Sequence, residues 1–235
     1  MPTNRSFASA NQLLAALPSD DLERLLFNSK TVELGFAEIL SRAGQAVPHV
    51  YFPISSYVSL VTPVNNDTGL EVGLIGTEGM LGITLILGID ASPFEARVQG
   101  AGSALRMDSD VFLKEFERCS ALQQTLKRYL YVNMSQLGQA AACNRYHRVE
   151  ARLARWLLMT HDRAHADTFH VTHIFLAYIL GVRRVGITKA AYSLQQQKLI
   201  SYRRGDITIL NRSGLEDMAC SCYQIDQETY RRVLD

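Results

Sequence analysis

VTHIFLAYILGVRRVGITKAAYSLQQQKLISYRRGDITIL, residues 171–210, joins two short amphipathic segments through a glycine and ends in a basic hairpin. Thr172 precedes the apolar-periodic segment 174–180 and is placed to cap a helix there. Gly181 supplies the positive φ that ends such a helix tightly, and Val182 begins a sharp turn. In the next segment Ile187, Ala190, Ala191 and Leu194 recur at helical spacing and predict a buried face. Arg183, Arg184, Val185, Thr188 and Lys189 are left exposed over its first turns. Residues 200–202 and 207–209 then read as two strands joined by Arg203-Arg204-Gly205-Asp206, a tight turn carrying two cations. Helix, turn, helix and hairpin in this order make a winged helix-turn-helix, for which double-stranded DNA is the implied partner.

The charge pattern agrees with that reading. The chain has 235 residues, 47% of them hydrophobic, and a net charge of only +1. Residues 1–144 carry 10 Lys+Arg against 14 Asp+Glu, and residues 145–235 carry 14 against 9, so the halves differ in sign. Within 171–212 seven basic residues stand against Asp206 alone, the local footprint a polyanion requires. Arg is shaped for bidentate contact with guanine, Lys and Thr reach bases or phosphates, and Val185 can meet a thymine methyl. Arg203 and Arg204 at a wing tip would hold the DNA backbone without reading sequence.

The amino-terminal half has a different texture. Ten of the fifteen glycines precede Cys119. Short Val/Ile/Leu/Tyr/Phe runs at 30–34, 38–40, 49–52, 57–61, 70–74, 96–98 and 103–107 end in Gly, Pro, Asn or Ser. These predict an all-β roll with hairpins such as 64–69. A preceding helix is expected, capped by Ser19, with Leu22, Leu25 and Leu26 on one face. From Ser120 the period becomes helical. Leu122, Leu126, Leu130, Met134, Leu137 and Ala141 form one stripe about six turns long, which packs in part on its own β-domain and in part suits a two-fold dimer seam. The helix is expected to break near Asn144. A second helix follows with Trp156 in the core and Arg148, Arg152 and Arg155 on a solvated face. The fold class is therefore α+β, divided as 1–118 for the β-roll, 119–145 for the connecting helix and 146–235 for the winged helix-turn-helix.

Residues 171–210 resemble the helix-turn-helix of the Crp/Fnr family of bacterial transcription regulators. The resemblance rests on Thr172, Leu180-Gly181-Val182-Arg183-Arg184, Thr188-Lys189 and Leu199-Ile200 with Tyr202-Arg203-Arg204-Gly205, and it extends over nearly the whole chain. It implies a β-roll like the cyclic-nucleotide-binding fold, a long dimer helix and a homodimer on a roughly palindromic operator, with RNA polymerase and an unidentified small-molecule effector as further candidate partners. It places Thr172 and His173 on phosphate and Arg183 at the start of the recognition helix. The family's recognition helix usually carries Arg-Glu and a further Arg four residues after the Glu. The matching positions here are Arg184, Val185 and Lys189, so the usual operator is not implied. In the sensor half, Gly76-Thr-Glu-Gly-Met-Leu-Gly82 keeps the family's glycines for turn geometry, but Ile83 stands where an acid would hold the ribose of a cyclic nucleotide. The segment 91–95 has no Arg for the cyclic phosphate and Glu95 would repel it, which argues against cyclic AMP. No Cys precedes Cys119, so the cysteine cluster of an iron–sulfur sensor is missing.

Other classes find little support. The histidines 147, 161, 165, 170 and 173 form no HExxH pattern and read as solvated or capping residues; no nucleophile elbow or phosphate loop is present, so no catalytic, cofactor or metal residue is assigned. Cys220-Ser221-Cys222 is a candidate redox or metal pair, but without a matched second pair it reads as reduced thiols packed near the carboxyl terminus. No secretory signal opens the chain and residues 43–66, though uncharged, carry three prolines, so a cytoplasmic protein without a membrane span is expected. The competing reading is a ligand-sensing or interaction module whose helix-turn-helix serves protein contacts.

Overall fold

The computed structural model describes residues 10–65 and 68–234. Two short helices, α1 (Gln12–Ala15) and α2 (Ser19–Phe27), lead into β1 (Lys30–Leu34), β2 (Ile39–Ser41), β3 (His49–Pro53), β4 (Tyr57–Asn65), β5 (Thr68–Ile75), β6 (Glu95–Gly100) and β7 (Gly102–Asp108). One sheet has the order β1-β7-β3 and the other β2-β6-β4-β5, with every pairing antiparallel. The tip of the 64–69 hairpin lies outside the described residues.

Side-chain alternation explains how two cores share these strands. On β3, Tyr51 points between the two sheets with Val58, Leu60, Ile75, Ala96, Val98 and Ala104. Its neighbours Val50 and Phe52, with Leu105 and Met107 of β7, point the other way into a second core closed by Leu13, Leu25, Phe112, Leu122 and Leu126. The expected cap of α2 is not observed. Pro18 holds the cap position with its fixed φ near −55°, and Ser19 is the first helical residue.

Beyond the roll come α3 (Ser109–Arg118), α4 (Ser120–Tyr146) and α5 (Val149–Ala164). At 27 residues α4 is about 40 Å long. It runs past Asn144 and ends only at His147, whose backbone is extended. The stripe expected from its sequence divides along its length. Leu122 and Leu126 are buried in the chain's own core, whereas Met134 is 64% exposed, and Ala141 is exposed as well.

The last part contains β8 (Thr168–His170), α6 (His173–Ile179), α7 (Arg184–Gln196), β9 (Ile200–Arg203), β10 (Asp206–Ile209), α8 (Arg212–Met218) and α9 (Cys222–Leu234). Trp156, Leu176, Ile187, Ala190, Leu194, Ile207 and Leu215 share one core there. Arg152 and Arg155 do not form the solvated face expected of them. Arg152 is buried and donates to Asn144 Oδ1 and to the Leu180 carbonyl, while Arg155 pairs with Asp226 of α9 at 2.5 Å. The sequence of α5 alone does not show that α9 folds back across it.

Candidate nucleic-acid interface

Thr172 is the amino-terminal cap of α6, and its hydroxyl accepts from the Phe175 N–H at 3.2 Å. Gly181 has φ +60° after the end of that helix, and α7 begins at Arg184 with Arg183 in the cap position. The inward face of α7 is Ile187, Ala190, Ala191 and Leu194, all essentially without solvent contact. Arg183, Arg184, Val185, Thr188 and Lys189 are exposed, with Val185 58% accessible.

The wing is a two-residue hairpin. Arg203 pairs with Asp206, and Arg204 and Gly205 both have positive φ, 54° and 93°, the geometry whose twist matches antiparallel strands. A Cβ at Gly205 would come within 2.6 Å of the His170 ring, so the turn also needs glycine for close approach. β8 adds a third strand, in the order β8-β10-β9. Sequence reasoning missed it: Thr168-Phe169-His170 has a single apolar residue between two polar ones, too little to mark a strand.

Electrostatically the face is one-sided. Among the described residues no carboxylate lies within ion-pair distance of Arg183, Arg184, Lys189, Arg203 or Arg204. Asp206, the nearest acid in sequence, faces His170 at 2.8 Å instead. His173 is held between elements. Its ring stacks on Tyr202 with centroids 4.3 Å apart, and its Nδ1 lies 3.1 Å from the Thr188 hydroxyl. Burial and then the neighbouring Arg184 guanidinium depress its pKa, so the neutral imidazole is favoured. His173 thus ties α6, α7 and the wing together. The expectation of solvated or capping histidines fits poorly elsewhere too, since His161 contacts Asp167 at 2.8 Å and Arg212 at 2.6 Å.

Two polar side-chain contacts couple this unit to the β-roll, beside the edge-on packing of Phe36 against His170. Trp156 Nε1 of α5 donates to Glu71 of β5 at 2.8 Å, and Arg163 of α5 pairs with Glu78 at 2.6 Å. Glu78 belongs to the glycine-rich turn, which clarifies its composition. A Cβ at Gly76 would meet Arg163 at 2.8 Å, and one at Gly79 would meet the Tyr129 hydroxyl at 2.2 Å. Gly82, with φ +99°, is the member of the set that a turn requires. Thr172 and Arg183 also line a cleft of about 950 Å³ whose opposite wall includes Gly69, Leu70 and Arg97.

Behind that turn lies a partly open cavity of about 200 Å³, walled by residues that include Leu60, Val72, Met80, Ile83, Phe94, Leu130 and Met134. Among the described residues no charged side chain lines it. Arg97 is paired with Glu95 at 2.8 Å and borders the outer cleft instead. The Ser41 and Thr84 hydroxyls on the cavity wall are buried without hydrogen-bond partners among the described residues.

Residues 151–218 match the family model of the Crp-like helix-turn-helix domain. This stretch is a Crp-like helix-turn-helix domain. No curated protein matches the chain. Among solved structures it is similar to a transcriptional regulator of the Crp/Fnr family from Eubacterium rectale, at 15% identity over 88% of this chain and 96% of that one, with a TM-score of 0.67. FixK2 from Bradyrhizobium japonicum is similar at 13% identity, with coverages of 82% and 98% and a TM-score of 0.69. The c-di-GMP-responsive global regulator CLP of Xanthomonas campestris is similar at 17% identity, with coverages of 82% and 99% and a TM-score of 0.66. The Crp-like domain therefore sits within a chain whose fold is that of Crp/Fnr transcriptional regulators. Among the described residues no helix is long and apolar enough to cross a membrane.

Proposed function

We propose that the protein is a homodimeric, sequence-specific DNA-binding transcription regulator. The observation that carries this reading is the set of five cations on α7 and the wing tip that have no carboxylate within ion-pair distance among the described residues. Arg184, Val185 and Lys189 project from the first turns of α7, where a recognition helix meets base edges in the major groove. Thr172, Arg183, Arg203 and Arg204 flank them and are placed to hold phosphates, and Thr188 and His173 fix the angle between α6 and α7. With Val185 offering only an apolar contact, the base read at that position would be a thymine, through its methyl group.

The exposed end of the α4 stripe supports the dimer. Tyr131 and Met134 are 53% and 64% exposed, and Gly138, Ala141 and Ala142 continue the same face with small side chains. A second α4 packed there would cover them and set two recognition helices about one DNA turn, roughly 34 Å, apart. Functionally the chain divides at 118 and 146. The cavity in the roll is the effector site of this reading. A cyclic nucleotide would lose its charge-assisted partners there. A small, neutral, largely apolar molecule that offers hydrogen bonds to Ser41 and Thr84 fits the wall better. Leu130 and Met134 line both this cavity and the exposed stripe, so such a ligand would touch the helix that carries the dimer.

Selection of bound duplexes from a random pool tests the function. Enrichment of an inverted repeat with half-sites one helical turn apart is the expected result. A pool that stays random at low salt overturns the proposal.

A further inference from the structure

Four side chains that DNA reading does not use converge where α4 gives way to α5 and where α9 begins. They are Cys143, in the last turn of α4, His147 at its end, Cys220 in the link before α9, and Cys222 at the first position of α9. Their ligand atoms all lie within 4.8 Å of one another. Cys143 Sγ is 3.5 Å from Cys220 Sγ, and His147 Nδ1 is 3.3 Å from Cys222 Sγ. The three cysteines are buried, at 2%, 8% and 0% exposure. The geometry points to a zinc site of three thiolates and one imidazole that fastens α9 to the end of α4.

The chemistry of the donor set favours zinc. Sulfur and imidazole ligands exclude magnesium and calcium, which take oxygen. With Zn–S bonds near 2.3 Å, a tetrahedral site puts its sulfurs about 3.8 Å apart, so the observed spacing needs only small side-chain movements. The atoms are too close together to enclose a cluster of several irons. The surroundings supply what a thiolate site needs. Gln139 Nε2 is 2.9 Å from Cys222 Sγ, an amide donor to sulfur of the kind that orients metal ligands. Arg152 is buried and has no carboxylate partner among the described residues, and it shares the wall of a small cavity with Cys143. Zn²⁺ with three thiolates and a neutral imidazole carries one net negative charge, which answers this uncompensated guanidinium. A Cys143–Cys220 disulfide would leave His147, Cys222 and Gln139 without a role. On binding, zinc displaces the three thiol protons and no electron moves.

Elemental analysis of the full-length protein, purified under reductant, tests the site together with X-ray absorption at the zinc edge. One zinc per chain is expected, with three sulfurs near 2.3 Å and one nitrogen near 2.0 Å. Cobalt titrated into chelator-treated protein should give the intense visible bands of a tetrahedral thiolate site. Cys222→Ser and His147→Ala should each weaken metal binding more than about 100-fold, while Cys119→Ser, in the roll-side core, should leave it unchanged. Because the first measurements use the wild-type chain, a variant that fails to fold does not remove the test. Zinc well below one per chain, an oxygen-dominated shell, unaltered metal binding in both ligand variants, or a native Cys143–Cys220 disulfide would overturn it.

Discussion

Replacing Arg163 by Met should loosen the DNA-binding unit from the β-roll by a predictable amount. Arg163 Nη2 and Nε reach the same Glu78 oxygen at 2.6 and 2.8 Å, and Nη1 donates to the Met159 carbonyl at 2.8 Å. The two side chains are only 8% and 12% exposed, so this is not a surface pair worth a fraction of a kcal/mol. Met keeps most of the aliphatic packing but leaves the Glu78 carboxylate enclosed without its cation, which costs roughly 3–5 kcal/mol in buried pairs. Glu78 keeps the Gly76 N–H at 3.1 Å, which places the expected loss near the low end, about 3 kcal/mol. For a chain of this size that corresponds to a fall in Tm of roughly 6–12 °C. Glu78→Gln removes the charge from the other side, so the double variant should recover part of the loss. A coupling of about 2 kcal/mol is expected from the cycle. Calorimetric unfolding of the four proteins at neutral pH gives each number. If Arg163→Met lowers Tm by less than about 2 °C, or the two changes simply add, the pair does not hold the units together.

Glu71 predicts a pH effect at the same junction. Burial beneath Trp156 pushes its carboxyl from the ordinary 4.5 up to about 7, against the Ser59 and Trp156 hydrogen bonds that favour the anion. A folded pKa above the unfolded one means that the native state holds the extra proton, so stability falls as pH rises from about 4.5 to 7. The loss attributable to this group is at most about 3 kcal/mol, and Glu71→Gln should flatten that part of a denaturant-derived stability profile. Gly79→Ala places a methyl on the Tyr129 hydroxyl and should lower stability by about 2 kcal/mol, read from the shift in urea midpoint. Ala141→Glu changes an exposed position of α4, so the chain should still fold. Two carboxylates facing each other across the two-fold axis would raise the dimer dissociation constant at least about 100-fold, measured by sedimentation.

What the sequence revealed and what it concealed divide along the range of the interactions. Local signals were legible. Thr172 as cap, Gly181 with positive φ, and Ile187 to Leu194 as a buried face all depend on neighbours within a turn or two, and each is found where the pattern placed it. The strands of the roll follow for the same reason, since alternation and turn residues are local. Partners far apart in sequence were not legible. The sequence places Trp156 in the core, but nothing around it points to Glu71, 85 residues earlier. Arg152 and Arg155 repeat at a spacing that suits a wet helix face, and only the return of α9 makes that face an interior. The cysteines show the limit most clearly. Cys220-Ser221-Cys222 was visible as a pair, yet its other half lies 77 residues away at Cys143, on a helix read for its apolar stripe.

The most direct test of DNA reading by α7 is a salt series of binding affinities for Arg184→Ala and Arg204→Ala on the selected operator and on scrambled DNA. Arg184→Ala should lose roughly 1–3 kcal/mol on the operator, relax one base position and lose little on scrambled DNA. Arg204→Ala should weaken both duplexes alike and reduce the slope of log K against log salt by about one. Equal losses on both duplexes for both variants would show that α7 supplies charge without reading sequence and would contradict the account.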